Sequence, residues 1–88
     1  MRVERRVVVQ LPMGLHARPA AALATLAAQF RARIELVHDG EAVEATSVLG
    51  LMSLAAGPGC ELLVRAEGED AAEAVRRIVE FLQRTDEP

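Results

Sequence analysis

One histidine in this chain of 88 residues stands close to an arginine where phosphoryl chemistry is possible. His16 lies within the segment 14–20, and Arg18 follows it two residues later. Apolar residues at helical spacing begin just after it, so we expect His16 at the entrance of a helix, where unpaired backbone N–H groups favour an anion. A neutral imidazole is also nucleophilic near pH 7. The segment therefore predicts a site where His16 accepts a phosphoryl group whose charge is matched by Arg18 and the N–H dipoles.

Two other roles are open to His16 on residue type alone: a capping side chain or a metal ligand. A metal is disfavoured because the other histidine, His38, falls in a predicted solvent-exposed turn, and no Cys or carboxylate lies beside His16 at ligand spacing. The single Cys60 excludes an intrachain disulfide framework, and we expect it to be a small buried thiol. We therefore expect neither a metal nor a cofactor.

Seven segments with clear hydrophobic periodicity would position this site. Alternation of apolar and polar residues predicts strands at residues 3–9, 33–36, 41–44 and 60–67, and helical spacing predicts helices over 17–30, 48–55 and from 70 onward. Each strand has one apolar face. The order βαββαβα then predicts an α+β fold, an open-faced β-sandwich in which three helices cover one face of a four-stranded antiparallel sheet. We expect residues 1–88 to form one domain.

The middle helix carries more apolar residues than one core-facing side can bury. Ser47 is suited to be the N-cap of this helix. In the same way, Asp70 and Glu73 have the spacing of a capping box at the start of the last helix. If Leu51, Leu54 and Ala55 face the core, other apolar side chains remain uncovered, and these are Val48, Leu49 and Met52. They predict a docking surface for protein partners, the alternative being a helix buried on both sides.

Composition excludes several classes of function. The chain has no Lys, two aromatic residues and a net charge of -3, so the residues of a nucleic-acid groove are missing. The longest apolar run, 20–28, is about half the length of a membrane-spanning helix, and 7–9 is too short for a signal-peptide core. We expect a cytoplasmic protein that binds no nucleic acid and does not insert into membranes.

Two separated motifs resemble those of one known family. GLHARPA at 14–20 is similar to the active-site signature of the histidine-containing phosphocarrier family, HPr, of the bacterial phosphoenolpyruvate-dependent sugar phosphotransferase system, and SVLGLMSLA at 47–55 resembles its regulatory-serine segment. The resemblance extends over the whole chain. It implies that His16 takes a phosphoryl group on Nδ1 from phospho-enzyme I and passes it to enzyme IIA domains of sugar permeases. The chain would be a carrier and not an enzyme.

The resemblance also assigns roles to individual positions. It implies that Arg18 helps to hold the phosphate and that the backbone N–H groups of Ala17 and Arg18 donate to it. Ser47 matches the regulatory serine, on which an HPr serine kinase/phosphorylase would act. The residues implied in partner binding are Ala20, Val48, Leu49 and Met52. Two positions depart from the family pattern: Met13, usually a small polar residue, and Thr46, often charged or an amide.

A regulatory or ligand-binding module without phosphorylation is the main alternative. In such a module, the bare face of the sheet would bind a small molecule or pair with a second copy to form a dimer. For a phosphocarrier we instead expect a monomer. His16 and Arg18 together argue against such a module, and the purely regulatory relative within the family lacks the active-site histidine. A hydrolytic enzyme is excluded because no second acid, base or metal constellation accompanies His16.

Overall fold

The computed structural model describes residues 1–86 and shows the expected order of elements. These are β1 (Arg2–Val8), α1 (Ala17–Ala27), β2 (Arg33–His38), β3 (Glu41–Glu44), α2 (Val48–Ser53), β4 (Glu61–Glu67) and α3 (Ala71–Leu82). The strands form one sheet in the order β1-β4-β2-β3, and every neighbouring pair is antiparallel. The prediction of a four-stranded open-faced sandwich is confirmed. Within residues 1–86 no helix is long and apolar enough to cross a membrane.

The two faces of the sheet differ as the alternation predicts. On the inner face, Val7 is paired with Leu62, and Leu36 with Val64, and all four are buried against the helices. On the outer face, charged side chains pair across strands, as in the Arg65–Glu35 contact of 2.8 Å. Helix α3 packs on β1, β4 and β2, and α1 packs on α2 and α3. The apolar stripe predicted for the last helix is also buried: Ala71, Val75, Ile78, Val79 and Leu82.

Two helices end earlier than the hydrophobic spacing predicts. Helix α1 ends at Ala27 instead of Phe30, because the N–H groups of residues 29 and 30 bond to carbonyls three residues back and close the helix with a tight turn. Helix α2 ends at Ser53, and Ala55 then takes a positive φ of 53°. Ala55 is exposed, so its assignment to the core is wrong.

Two further predictions about single residues are also corrected. Asp70 occupies the N-cap position of α3 but makes no capping bond. Its carboxylate instead accepts the N–H groups of Arg31, at 2.9 Å, and Ala32, at 2.8 Å, which lie just before β2. Cys60 is only half-buried at the edge of the core, because it lies in the turn that precedes β4. Local sequence patterns do not reveal these long-range neighbours.

Candidate functional site

A short loop between β1 and α1 fixes the position of His16. Leu11 and Leu15 are buried and anchor the loop at both ends. The N–H of Leu15 donates to the carbonyl oxygen of Ala56 at 2.9 Å. Gly14 has a φ of 71°, and a Cβ there would lie 2.4 Å from the same oxygen. The loop therefore needs glycine at this point to pack against the segment that follows α2.

The backbone of His16, and not its side chain, begins helix α1. It is the N-cap of α1, with φ −82° and ψ −174°, and its carbonyl oxygen accepts the N–H of Ala20 at 2.9 Å. Its imidazole makes no capping hydrogen bond. The capping alternative for this side chain is therefore wrong, and the ring lies half-buried at the start of the helix.

The first turn of α1 supplies the donors for an anion. The N–H groups of Ala17 and Arg18 have no intrahelical acceptor, and Pro19 at the third position has no N–H. Both Ala17 and Arg18 are exposed. Among residues 1–86, no ion pair of the Arg18 guanidinium with a carboxylate is seen. The turn thus presents two amides and one guanidinium in the same three residues.

Ala20 does not belong to a partner-binding surface. Its side chain is 0% exposed, because it lies on the inner side of α1 with Pro19, Leu23 and Ala27. The role that the resemblance implies for Ala20 is therefore corrected to one in the core. The exposed residues of the first turn are the two on the other side, Ala17 and Arg18.

Helix α2 leaves part of its apolar surface uncovered. Leu51 and Leu54 are buried, whereas Leu49 is 80% exposed and Met52 is 41% exposed. Val48 is only half-buried and packs against the core. The alternative of a helix buried on both sides is therefore wrong. We call Leu49 and Met52 the α2 patch; it lies on a helix that packs directly against α1.

Ser47 caps this helix. Its Oγ accepts the N–H of Gly50 at 3.0 Å, which is the expected N-cap geometry. The side chain is half-buried at the start of α2, two residues before Leu49. Any charge added at Ser47 would therefore lie at the border of the α2 patch.

Comparison with known proteins decides the family. A family model described as the PTS HPr component phosphorylation site matches residues 3–84. The chain belongs to the HPr family. The HPr-like protein Crh of Halalkalibacterium halodurans is 42% identical over 82 residues, which cover 93% of this chain and 98% of that protein. HPr family proteins are phosphocarriers rather than catalysts.

Solved HPr structures share the fold. The crystal structure of HPr from Bacillus anthracis has a TM-score of 0.91 and 43% identity, covering 93% of this chain and 98% of that one. Crh from Bacillus subtilis, which crystallised as a dimer with a swapped domain, has a TM-score of 0.76 and 42% identity, covering 92% and 93%. The similarity to HPr structures thus extends over nearly the whole chain.

Sequence reasoning gives neither Met13 nor His38 a role at the candidate site. Met13, noted only as a departure from the family pattern, is 70% exposed in the loop before His16. His38 was predicted to be a solvent-exposed turn residue, which is wrong: it ends β2, its side chain is only 18% exposed, and Nδ1 lies 3.1 Å from the carbonyl oxygen of Leu54. The sequence does contain a pattern that indicates the burial of His38, because His38 continues the alternation of Ile34 and Leu36 on one face of the strand.

No metal centre accompanies these residues. Within residues 1–86 no group of three or more His, Cys, Asp or Glu side chains could hold a metal ion. The groups at the start of α1 are an imidazole, two backbone amides and a guanidinium. Such a set can bind and transfer a phosphoryl group, because it offers one nucleophile and several donors to phosphate oxygens.

Proposed function

We propose that this chain is a phosphocarrier in which His16 takes a phosphoryl group from phospho-enzyme I and passes it to enzyme IIA domains. In the first step the Nδ1 lone pair of His16 attacks phosphorus, a P–N bond forms, and the bond to enzyme I breaks with its electron pair left on enzyme I. Transfer to an IIA domain repeats the exchange with His16 as the leaving group. The chain turns over no substrate of its own.

The observation that carries this proposal is the place of His16 in the backbone. The loop before it is fixed on Ala56, and the N–H groups of Ala17 and Arg18 follow it without intrahelical acceptors. Added phosphate charge at His16 would meet these donors and the guanidinium of Arg18 with little rearrangement. Because these donors are already in place, little reorganisation is needed when His16 gains or loses the phosphoryl group, and this lowers the barrier to transfer in both directions, as a carrier requires.

The α2 patch is the surface we assign to both protein partners. It is apolar, exposed and on the helix that packs beside α1, so a partner seated on it can reach the start of α1. Ser47, at the border of the patch, is the position for regulation by an HPr serine kinase/phosphorylase. We expect a cytoplasmic monomer, although the crystallised Crh relative shows that this fold can also exchange parts between two copies.

A regulatory protein without phosphotransfer is the second candidate, because Crh is among the similar proteins. The regulatory branch lacks the phosphoacceptor histidine, whereas this chain has His16. The test is incubation with enzyme I and phosphoenolpyruvate, followed by intact mass. We expect wild type to gain one acid-labile phosphoryl group, His38→Ala to gain the same, and His16→Ala to gain none. An unlabelled wild type favours the regulatory candidate, and a labelled His16→Ala protein rejects His16 as the acceptor.

A further inference from the structure

His38 joins the β2–β3 hairpin to the end of α2. Its side chain continues the inner face of β2, and Nδ1 lies 3.1 Å from the carbonyl oxygen of Leu54. Because a carbonyl oxygen can only accept, Nδ1 carries the hydrogen in this contact. Nε2 lies 3.7 Å from a carboxylate oxygen of Asp39 on the turn. The ring is therefore held between the turn and the last residues of α2.

The segment that His38 contacts also holds the loop of His16. Leu54 is the C-cap of α2, and Ala55 follows with a positive φ of 53°. The carbonyl oxygen of Ala56 then accepts the N–H of Leu15. Only one residue, Ala55, separates the Leu54 carbonyl that binds His38 from the Ala56 carbonyl that binds the Leu15 N–H.

We propose that His38 is a positioning residue that fixes segment 54–56 and, through Leu15, the phosphoacceptor loop. The carbonyls at the end of a helix lack intrahelical donors, and a non-glycine residue at positive φ costs free energy that neighbouring contacts must offset. The bond from His38 supplies one such contact at Leu54. Without it, the chain around Ala55 can relax, and the acceptor for Leu15 moves with it.

Amide hydrogen exchange on the uncomplexed full chain tests this directly. His38→Phe keeps a ring but loses the donor, whereas His38→Asn places an amide nitrogen near the position of Nδ1. We expect the Leu15 amide to exchange about five- to tenfold faster in His38→Phe, as for the loss of one hydrogen bond, and to recover in His38→Asn. The amide of Val64 in the central strand β4 is the internal reference for global stability. If the ratio of Leu15 to Val64 exchange is the same in wild type and His38→Phe, the proposal is wrong.

Phosphoryl transfer gives a second readout, which rests on the proposed function. A displaced acceptor loop should lower kcat for transfer from enzyme I more than it raises KM, since the α2 patch itself remains. His38→Asn should restore kcat, and a loss that it does not restore contradicts positioning through the Leu54 carbonyl. If wild type accepts no phosphoryl group, the proposed function fails, but the exchange ratio still decides the role of His38.

Discussion

At the scale of single residues, the start of α1 separates the groups that support the helix from those left for a ligand. The carbonyl of His16 and the N–H of Ala20 form a helical hydrogen bond, and the side chain of Ala20 is buried. The N–H groups of Ala17 and Arg18 remain for an anion. Position along one turn therefore decides which residues of segment 14–20 support the helix and which are left to contact an anion.

Arg18 should matter for its shape as well as its charge. Arg18→Lys keeps a cation but loses the planar fork that binds two phosphate oxygens, so we expect transfer from enzyme I to slow about tenfold. Rapid-quench labelling measures the rate. Arg31→Lys, just beyond the other end of α1, is the matched control and should transfer at the wild-type rate. An unchanged rate in Arg18→Lys would remove this side chain from the site.

Ser47 combines a structural role with a proposed regulatory one, and two variants separate them. Ser47→Ala loses the bond to the Gly50 N–H and should cost about 1 kcal/mol of unfolding free energy without slowing transfer. Ser47→Asp can still cap α2, but it places a charge beside the α2 patch that must be desolvated on docking. We expect Ser47→Asp to raise the KM of enzyme I for the carrier. Identical titration curves for wild type and Ser47→Asp would leave Ser47 as a cap only.

At the scale of elements, α2 is a two-turn helix with a buried side and an exposed apolar side. Leu51 faces the core, and Leu49 faces outward on the same short helix. Hydrophobic count alone predicts an uncovered surface here, but it does not decide which residues form it. Val48 is half-buried and packs partly on the core.

The α2 patch is tested by the double variant Leu49→Ser, Met52→Ser. Since both side chains are exposed, unfolding should remain cooperative while the KM for transfer from enzyme I rises about tenfold. Val8→Ser is the matched control, because Val8 is 45% exposed on the outer face of the sheet. Loss of several kcal/mol of stability with normal transfer kinetics would show instead that these residues belong to the core.

The sequence predicted elements far better than their ends and their contacts. Alternation identifies all four strands because each carries its apolar side chains on one face, although Val43 of β3 is only half-buried. Helical spacing identifies α3 down to its buried stripe. The end of α2 depends on Ala55 adopting a positive φ, which no rule of composition predicts for alanine. The predictions for His38 and Asp70 are wrong because their partners are distant in the sequence. His38 contacts the carbonyl oxygen of Leu54, and the Asp70 carboxylate accepts the N–H groups of Arg31 and Ala32. His16 and Arg18 can be recognised from local sequence. The hydrogen bond from the Leu15 N–H to the Ala56 carbonyl, which holds the loop before His16, can be seen only in the folded structure.

At the scale of the whole molecule, Asp70 connects the start of α3 to the entrance of β2. The pKa of the Asp70 carboxyl is held below its usual range, mainly by the hydrogen bond from the Arg31 N–H and also by the one from the Ala32 N–H. Partial burial of the carboxyl opposes this shift. A carboxyl whose pKa is lowered by folding stabilises the folded state above its unfolded pKa. That contribution disappears as pH falls through the folded-state pKa.

Asp70→Asn should therefore lower stability most at neutral pH. We expect its urea midpoint to lie below that of wild type at pH 7, and the gap to narrow in acid as the wild-type carboxyl is protonated. Glu73→Gln is the control, because the Glu73 pKa is lowered by the hydrogen bond from Arg76 in an exposed pair that solvent screens. Glu73→Gln should lower the urea midpoint less than Asp70→Asn does. A gap for Asp70→Asn that is constant across pH would show that the carboxylate charge contributes nothing to these bonds.

The most direct test of the phosphocarrier proposal is to observe both histidine rings by NMR while enzyme I and phosphoenolpyruvate are added. Phosphorylation changes the ¹⁵N shift of the ring nitrogen that carries the phosphoryl group. We expect Nδ1 of His16 to shift on addition, to return when an enzyme IIA domain is supplied, and His38 to keep its shifts apart from small changes transmitted through the loop. Phosphorylation of His38, or unchanged shifts on both rings with active enzyme I, would contradict the assignment of His16 as the phosphoryl acceptor.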